Sequence, residues 1–170
     1  MATQPIRPVR VIQPKTNGQP ALPDLTVLAV PDGQVLLFRA RGKGVQIYPC
    51  DPATRTFGPA HPEAILLTDD GDLIHHSKGP TWQAADGSLV TGKVVQKVPA
   101  PADNAIPWLL LSATPGGTPD GKLSNVSFIH RVYTQYGNAP SAGCDPADAG
   151  AETPVFYEAE YYFYAPQDGD

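Results

Sequence analysis

The sequence predicts an all-β fold, a single-domain β-sandwich or barrel of about nine to ten short strands with an extended Pro-rich N-terminal arm. Three observations predict it. Twenty prolines and sixteen glycines in 170 residues, about 1.8 times their usual share, leave little room for long helices. Short runs rich in β-branched and aromatic residues recur between turn signals. Hydrophobic residues make up 41% of the chain, with the aromatics clustered, which excludes a disordered polymer and supplies a core for one domain.

The elements follow in order. Residues 1–23 carry Pro5, Pro8, Pro14, Pro20 and Pro23, which keeps them extended. Such an arm needs something to lie against, its own domain or a neighbouring subunit. The β domain occupies 24–170. Runs over 25–30 and 34–40 flank Asp32-Gly33, a hairpin signal. Gly42-Lys43-Gly44 then leads into a strand over 45–48. Runs over 64–68 and 73–76 flank Asp69-Asp70-Gly71-Asp72, a second hairpin signal. Ala85-Asp86-Gly87 turns into 88–98, the longest central strand. Residues 106–113 are almost continuously apolar, as in a strand buried on both faces, with Pro107 demoting its start to an edge. Two long strands, 123–134 and 155–164, close the chain. In the last, Val155, Tyr157, Ala159, Tyr161 and Phe163 alternate with Glu158 and Glu160, the period of a half-buried strand. Tyr162 and Tyr164 put aromatics on its second face too, and an uncovered aromatic face would be a binding or assembly surface.

Charge and motifs narrow the function. A net charge of −5, with no basic cluster, argues against nucleic acid and anionic membranes as partners. No apolar run reaches the roughly 20 residues of a transmembrane segment. Gly-x-Gly-x-x-Gly and the Gly-Lys-Ser/Thr phosphate loop are absent, and Ser88 lacks the Gly-x-Ser-x-Gly elbow. Cys50 and Cys144 are the only cysteines, which excludes a Cys-x-x-Cys redox pair and a cysteine-built zinc site. They are either a disulfide clamping a long loop or two free thiols. A disulfide would contribute about 4–5 kcal/mol in the chain-entropy model and would favour an oxidising compartment. The polar start Met1-Ala2-Thr3-Gln4-Pro5 does not have the pattern of an export signal.

Four histidines are the strongest candidates for chemistry: His61, His75, His76 and His130. A copper or zinc site built from His75, His76 and His130, with Asp70 or Asp72 orienting a ring, is the sharp reading. It would resemble the copper-type superoxide dismutases by architecture only, because their His-x-His spacing is absent. Neighbours on one strand also point to opposite faces, which sets His75 against His76. One buried, hydrogen-bonded histidine and three surface ones is the reading that the spacing favours. Asp69-Asp70-Gly71-Asp72 lacks the twelve-residue calcium pattern and reads as a solvated turn. Glu158 and Glu160 read as a solvent face rather than an acid–base pair. Trp82, after Gly79-Pro80-Thr81, reads as a core anchor or as an aromatic contact for a ligand.

Several motifs, in order, carry a resemblance. They are Val45-Gln46-Ile47-Tyr48 with Cys50, Gly79-Pro80-Thr81-Trp82, Asp86-Gly87-Ser88 with Gly92-Lys93, and Ile106-Pro107-Trp108-Leu109-Leu110-Leu111. Ser124-Asn125-Val126, Arg131-Val132, Gly143-Cys144-Asp145 and Tyr161-Tyr162-Phe163-Tyr164 complete the set. Together they resemble the domain-of-unknown-function 3455 family over residues 22–166, and His76 stands where that family tends to carry histidine. The resemblance implies an exported protein, which supports the disulfide and an extracytoplasmic location, and it transfers no catalytic residue. The expected function is an extracytoplasmic binding or assembly protein, forming a homo-oligomer or meeting an envelope partner. The alternative is a histidine-site metalloprotein, a copper-dependent oxidoreductase of the superoxide-dismutating kind.

Overall fold

A computed structural model describes residues 26–145 and 151–167. Every regular element among them is a strand: β1 (Gln34–Asp51), β2 (Thr56–Phe57), β3 (His61–Thr68), β4 (Leu73–Ser77), β5 (Thr81–Ala84), β6 (Ser88–Val98), β7 (Trp108–Gly117), β8 (Phe128–Tyr136) and β9 (Glu152–Pro166). Each of β3 to β8 pairs antiparallel with the next, and β1 pairs with β3 on one side and β9 on the other. The sheet therefore closes on itself. Of the two all-β architectures the composition allows, this is the barrel, which leaves no open edge along its wall. The short β2 folds back on the end of β1, with Cys50 opposite Phe57. The arm expected over 1–23 lies outside the described residues.

The period of two sorts side chains between two clusters. Inside the barrel lie Leu66, Ile74, Trp82, Val90, Leu111, Ile129, Tyr161 and Phe163. Outside it, Leu28 and Val30 pack with Trp108, Leu110, Val132, Tyr162 and Tyr164. β9 is thus buried on both faces over 159–165, not half-buried as the alternation suggests. Its second face is covered because residues 28–30 lie across it. Glu160 is correspondingly buried and accepts a hydrogen bond from Tyr162 Oη at 3.2 Å. Glu158 meets Lys43 at 3.3 Å. Fully burying each large aromatic contributes about 2–3 kcal/mol.

The first expected hairpin does not form. Residues 26–28 are a turn, and the apolar alternation there reports packing on the barrel wall rather than strand pairing. His130 fixes this cover: its Nε2–H donates to the Leu28 carbonyl, and its Nδ1 accepts from Tyr164 Oη at 2.9 Å. The runs over 34–40 and 45–48 merge into β1, because Gly42 and Gly44 are close-approach positions rather than breaks. A Cβ on Gly44 would lie 2.2 Å from the Glu63 carbonyl oxygen, and one on Gly42 would lie 2.8 Å from the Tyr161 ring. β7 starts at Trp108, after Pro107, and continues to Gly117. β8 begins only at Phe128, because the chain before it is tied into turns. Asp86 accepts from Ser88 Oγ at 2.6 Å and from Lys122 N at 2.8 Å, while Ser88 Oγ accepts from Leu123 N at 3.0 Å.

Cys50 and Cys144 are joined in a disulfide, their Cα atoms 5.3 Å apart. Next to it, Cys50 N donates to Ala151 O at 2.9 Å, one step beyond the Pro49–Glu152 pair of the β1–β9 seam. The bridge therefore clips the seam at one end of the barrel.

Candidate ligand cavity

At that end the barrel interior opens into a cavity of about 460 Å³. Its rim is formed by Pro49, Pro59, Ala60, Pro62 and Pro80, with His61, Lys78 and Glu152 among them. Its depth is formed by His76, Trp82, Leu109, Leu111, Arg131 and Tyr161. The lining is mainly apolar, with a few polar groups, the usual make-up of a small-molecule site.

The strand register places each deep residue. His76 pairs with Trp82 across β4 and β5, and their rings stack with centroids 4.3 Å apart and planes inclined by 15°. The Tyr161 ring stands edge-on to both, at 5.4 and 6.2 Å. Gly92 on β6 makes room for the indole: a Cβ there would fall 2.7 Å from the Trp82 ring. Arg131 lies opposite Leu109 and Tyr161 in the ladders, so it shares their inward face.

The polar groups are unevenly satisfied. His76 Nδ1 lies 2.9 Å from Thr81 O, so it carries the proton and Nε2 keeps its lone pair. Burial drives the pKa of this imidazole down to about 3, further lowered by the nearby Arg131 charge, so the ring is neutral. Arg131 donates Nε and Nη2 to Pro107 O, at 3.2 and 2.8 Å. Burial lowers its pKa, and the groups around it that favour its charge are tyrosines, not carboxylates. Tyr157 and Tyr161 share a hydroxyl contact of 2.8 Å, and burial raises both their pKa values. Gln46 sits beside Tyr157 and favours its ionised form, yet its Nε2 has no hydrogen bond of normal geometry. Trp82 Nε1 is also buried without a partner among the described residues.

The three histidines considered as metal ligands occupy three separate places. His75 points outward and meets Glu63 at 2.7 Å, both half-exposed. His76 points inward, and His130 lies under the cover formed by residues 28–30. No group of three or more His, Cys, Asp or Glu among the described residues converges on a metal-sized point. Trp82, Tyr161, Tyr162 and Tyr164 are all buried, the first two in the barrel interior and the last two under the outer cover. Arg131 and Gln46 are among the cavity residues that sequence reasoning passed over as site candidates. A signal for Arg131 was present, because a cation in phase with Ile129 on an apolar strand face is out of place.

No curated protein and no solved structure matches the chain. Residues 68–165 match the family described as Protein of unknown function (DUF3455), a stretch that begins at the last residue of β3 and reaches into β9. It includes His76, Trp82, Leu109, Leu111, Arg131 and Tyr161, the whole depth of the cavity, and the chain belongs to that family of proteins of unknown function.

Proposed function

We propose that this chain is an extracytoplasmic binding protein that holds a small molecule in the mouth of its barrel. The observation that carries this reading is the cavity itself, about 460 Å³ at one end of the closed barrel wall. That volume lies within the range of small-molecule sites. Binding fits the residues better than catalysis. His76 is neutral, stacked on Trp82 and tied to Thr81 O, and no carboxylate among the described residues bonds to it as an acid–base relay would require. The disulfide beside the rim suits an oxidising compartment and supports the extracytoplasmic part of the reading.

The test is titration with the uncharged fluorophore Nile red. One saturable site per chain, weakened by filling the rim with Ala60→Trp, is the expected result. Ala60 lies in a loop between β2 and β3, so this change leaves the strand ladders intact. No enhancement with the wild-type chain, or the same affinity in the A60W variant, refutes the reading.

A further inference from the structure

We infer that the ligand is a monoanion with an apolar body, its carboxylate held by the free edge of the Arg131 guanidinium. The inference rests on the binding reading above and names the chemical class of the ligand.

A guanidinium presents five N–H donors in a planar fork. Pro107 O takes the edge formed by Nε and Nη2. The end-on edge, formed by Nη1 and the second proton of Nη2, makes no hydrogen bond among the described residues. That edge has the spacing for a two-point contact with a carboxylate. Arg131 lies on the inward face, keeps partial access to solvent and lines the cavity. A cation in an apolar interior is costly unless an anion compensates it. No ion pair among the described residues reaches Arg131, and Glu152, the carboxylate of the lining, stands exposed at the rim. The interior thus holds a positive charge with no counterion among the described residues.

The rest of the lining shapes the ligand. Leu109, Leu111 and Val94 offer apolar contact but no second buried cation, so the ligand carries one negative charge and an apolar body. Lys78 at the rim strengthens the attraction for an approaching anion. The neutral His76 presents a lone pair rather than a second positive charge, so a dianion finds no second cation in the depth.

The experiment is calorimetric titration of the full chain with octanoate, octanamide and octanesulfonate, which share a tail and differ in the head. Octanoate is expected to bind about tenfold to a hundredfold more tightly than octanamide, the range for a charge-assisted two-point contact. Arg131→Gln keeps a donor for Pro107 O and is expected to bring the two affinities together. Arg131→Lys keeps the charge but loses the fork, and is expected to retain only part of the preference. Equal binding of octanoate and octanamide by the wild-type chain overturns the inference while leaving the binding reading in place. Equal binding of octanesulfonate and octanoate overturns the carboxylate assignment, and undiminished octanoate binding by R131K overturns the two-point contact. Failure of all three compounds, together with Nile red, overturns the binding reading as well.

Discussion

Breaking the Cys50–Cys144 bridge is the perturbation whose magnitude follows most directly from the structure. The cysteines are 94 positions apart, so the bridge removes the closure entropy of a long loop from the unfolded chain. In the chain-entropy model that loop corresponds to about 4–5 kcal/mol. The native β1–β9 seam closes much the same loop, but it exists only in the folded state and leaves the term intact. Both cysteines are buried, at 5% and 6% exposure, so replacing them with alanine adds a small cavity cost in the same direction. A domain of ordinary stability has about 5–15 kcal/mol in total, so the loss is a large fraction of it. Equilibrium urea unfolding, followed by Trp82 and Trp108 fluorescence, should show the midpoint of C50A/C144A falling by about 2 M for an ordinary slope. Reduction of the wild-type protein should give a comparable shift. A loss under about 1 kcal/mol in both experiments would refute the entropic account.

Three further outcomes are expected. Gly44→Ala forces a Cβ to 2.2 Å from the Glu63 carbonyl and 2.5 Å from Ala64 Cα. Both contacts are backbone, so the variant should lose about 3 kcal/mol or fail to close the barrel; wild-type thermal stability would contradict the packing. Stability should fall with pH, because His76 and His130 have folded pKa values of about 3 and about 4, both lowered chiefly by burial. With an unfolded value near 6.5, the unfolded chain binds more protons below that pH, so stability present above about pH 6.5 is lost as pH drops toward about 4. His130 alone contributes on the order of 3 kcal/mol to this change. Melting temperatures measured at pH 7, 6 and 5 should descend, and a flat series would sink the assignment of two neutral buried rings. Tyr164→Phe removes the donor to His130 Nδ1 and should cost about 1–2 kcal/mol, with faster amide exchange at residues 28–30 than in the wild type. Unchanged exchange there would show that His130 does not hold the cover.

The sequence made the barrel wall readable where strands are long and turns are marked. The β3–β4 hairpin around Asp69-Asp70-Gly71-Asp72, the turn into β6 and the existence of β9 as a strand, though not its expected half-burial, all carry local signals that survive in the structure. β2 and β5, of two and four residues, are too short for a period of two to register. Residues 25–30 misled for a different reason. Packing on the outside of a sheet produces the same apolar alternation as pairing within one, and only the location of Leu28 and Val30 distinguishes the two. Closure was not legible, because it depends on β1 reaching both β3 and β9, a long-range match that no local window contains. The site inherits the same limit. His76 and Trp82 could be named from their motif, but the role of Arg131 appears only once the closed wall turns its side chain inward.

Closure through the first and last strands also sets an order of assembly. From β3 onward each ladder of the wall joins strands consecutive in sequence, so these hairpins can zip as local events. The β1–β9 ladder must wait, since Gln34 finds its partner in Pro166 only after the rest of the chain is available. High-contact-order pairings of this kind fold slowly and expose strand edges to other chains in the meantime. The waiting strand carries Arg39, Arg41 and Lys43 at alternate positions on its outer face, where two such edges from separate molecules would repel. After closure, Arg39 meets Asp69 and Lys43 meets Glu158. The same charges that decorate the finished wall act as gatekeepers against aggregation while it is still open.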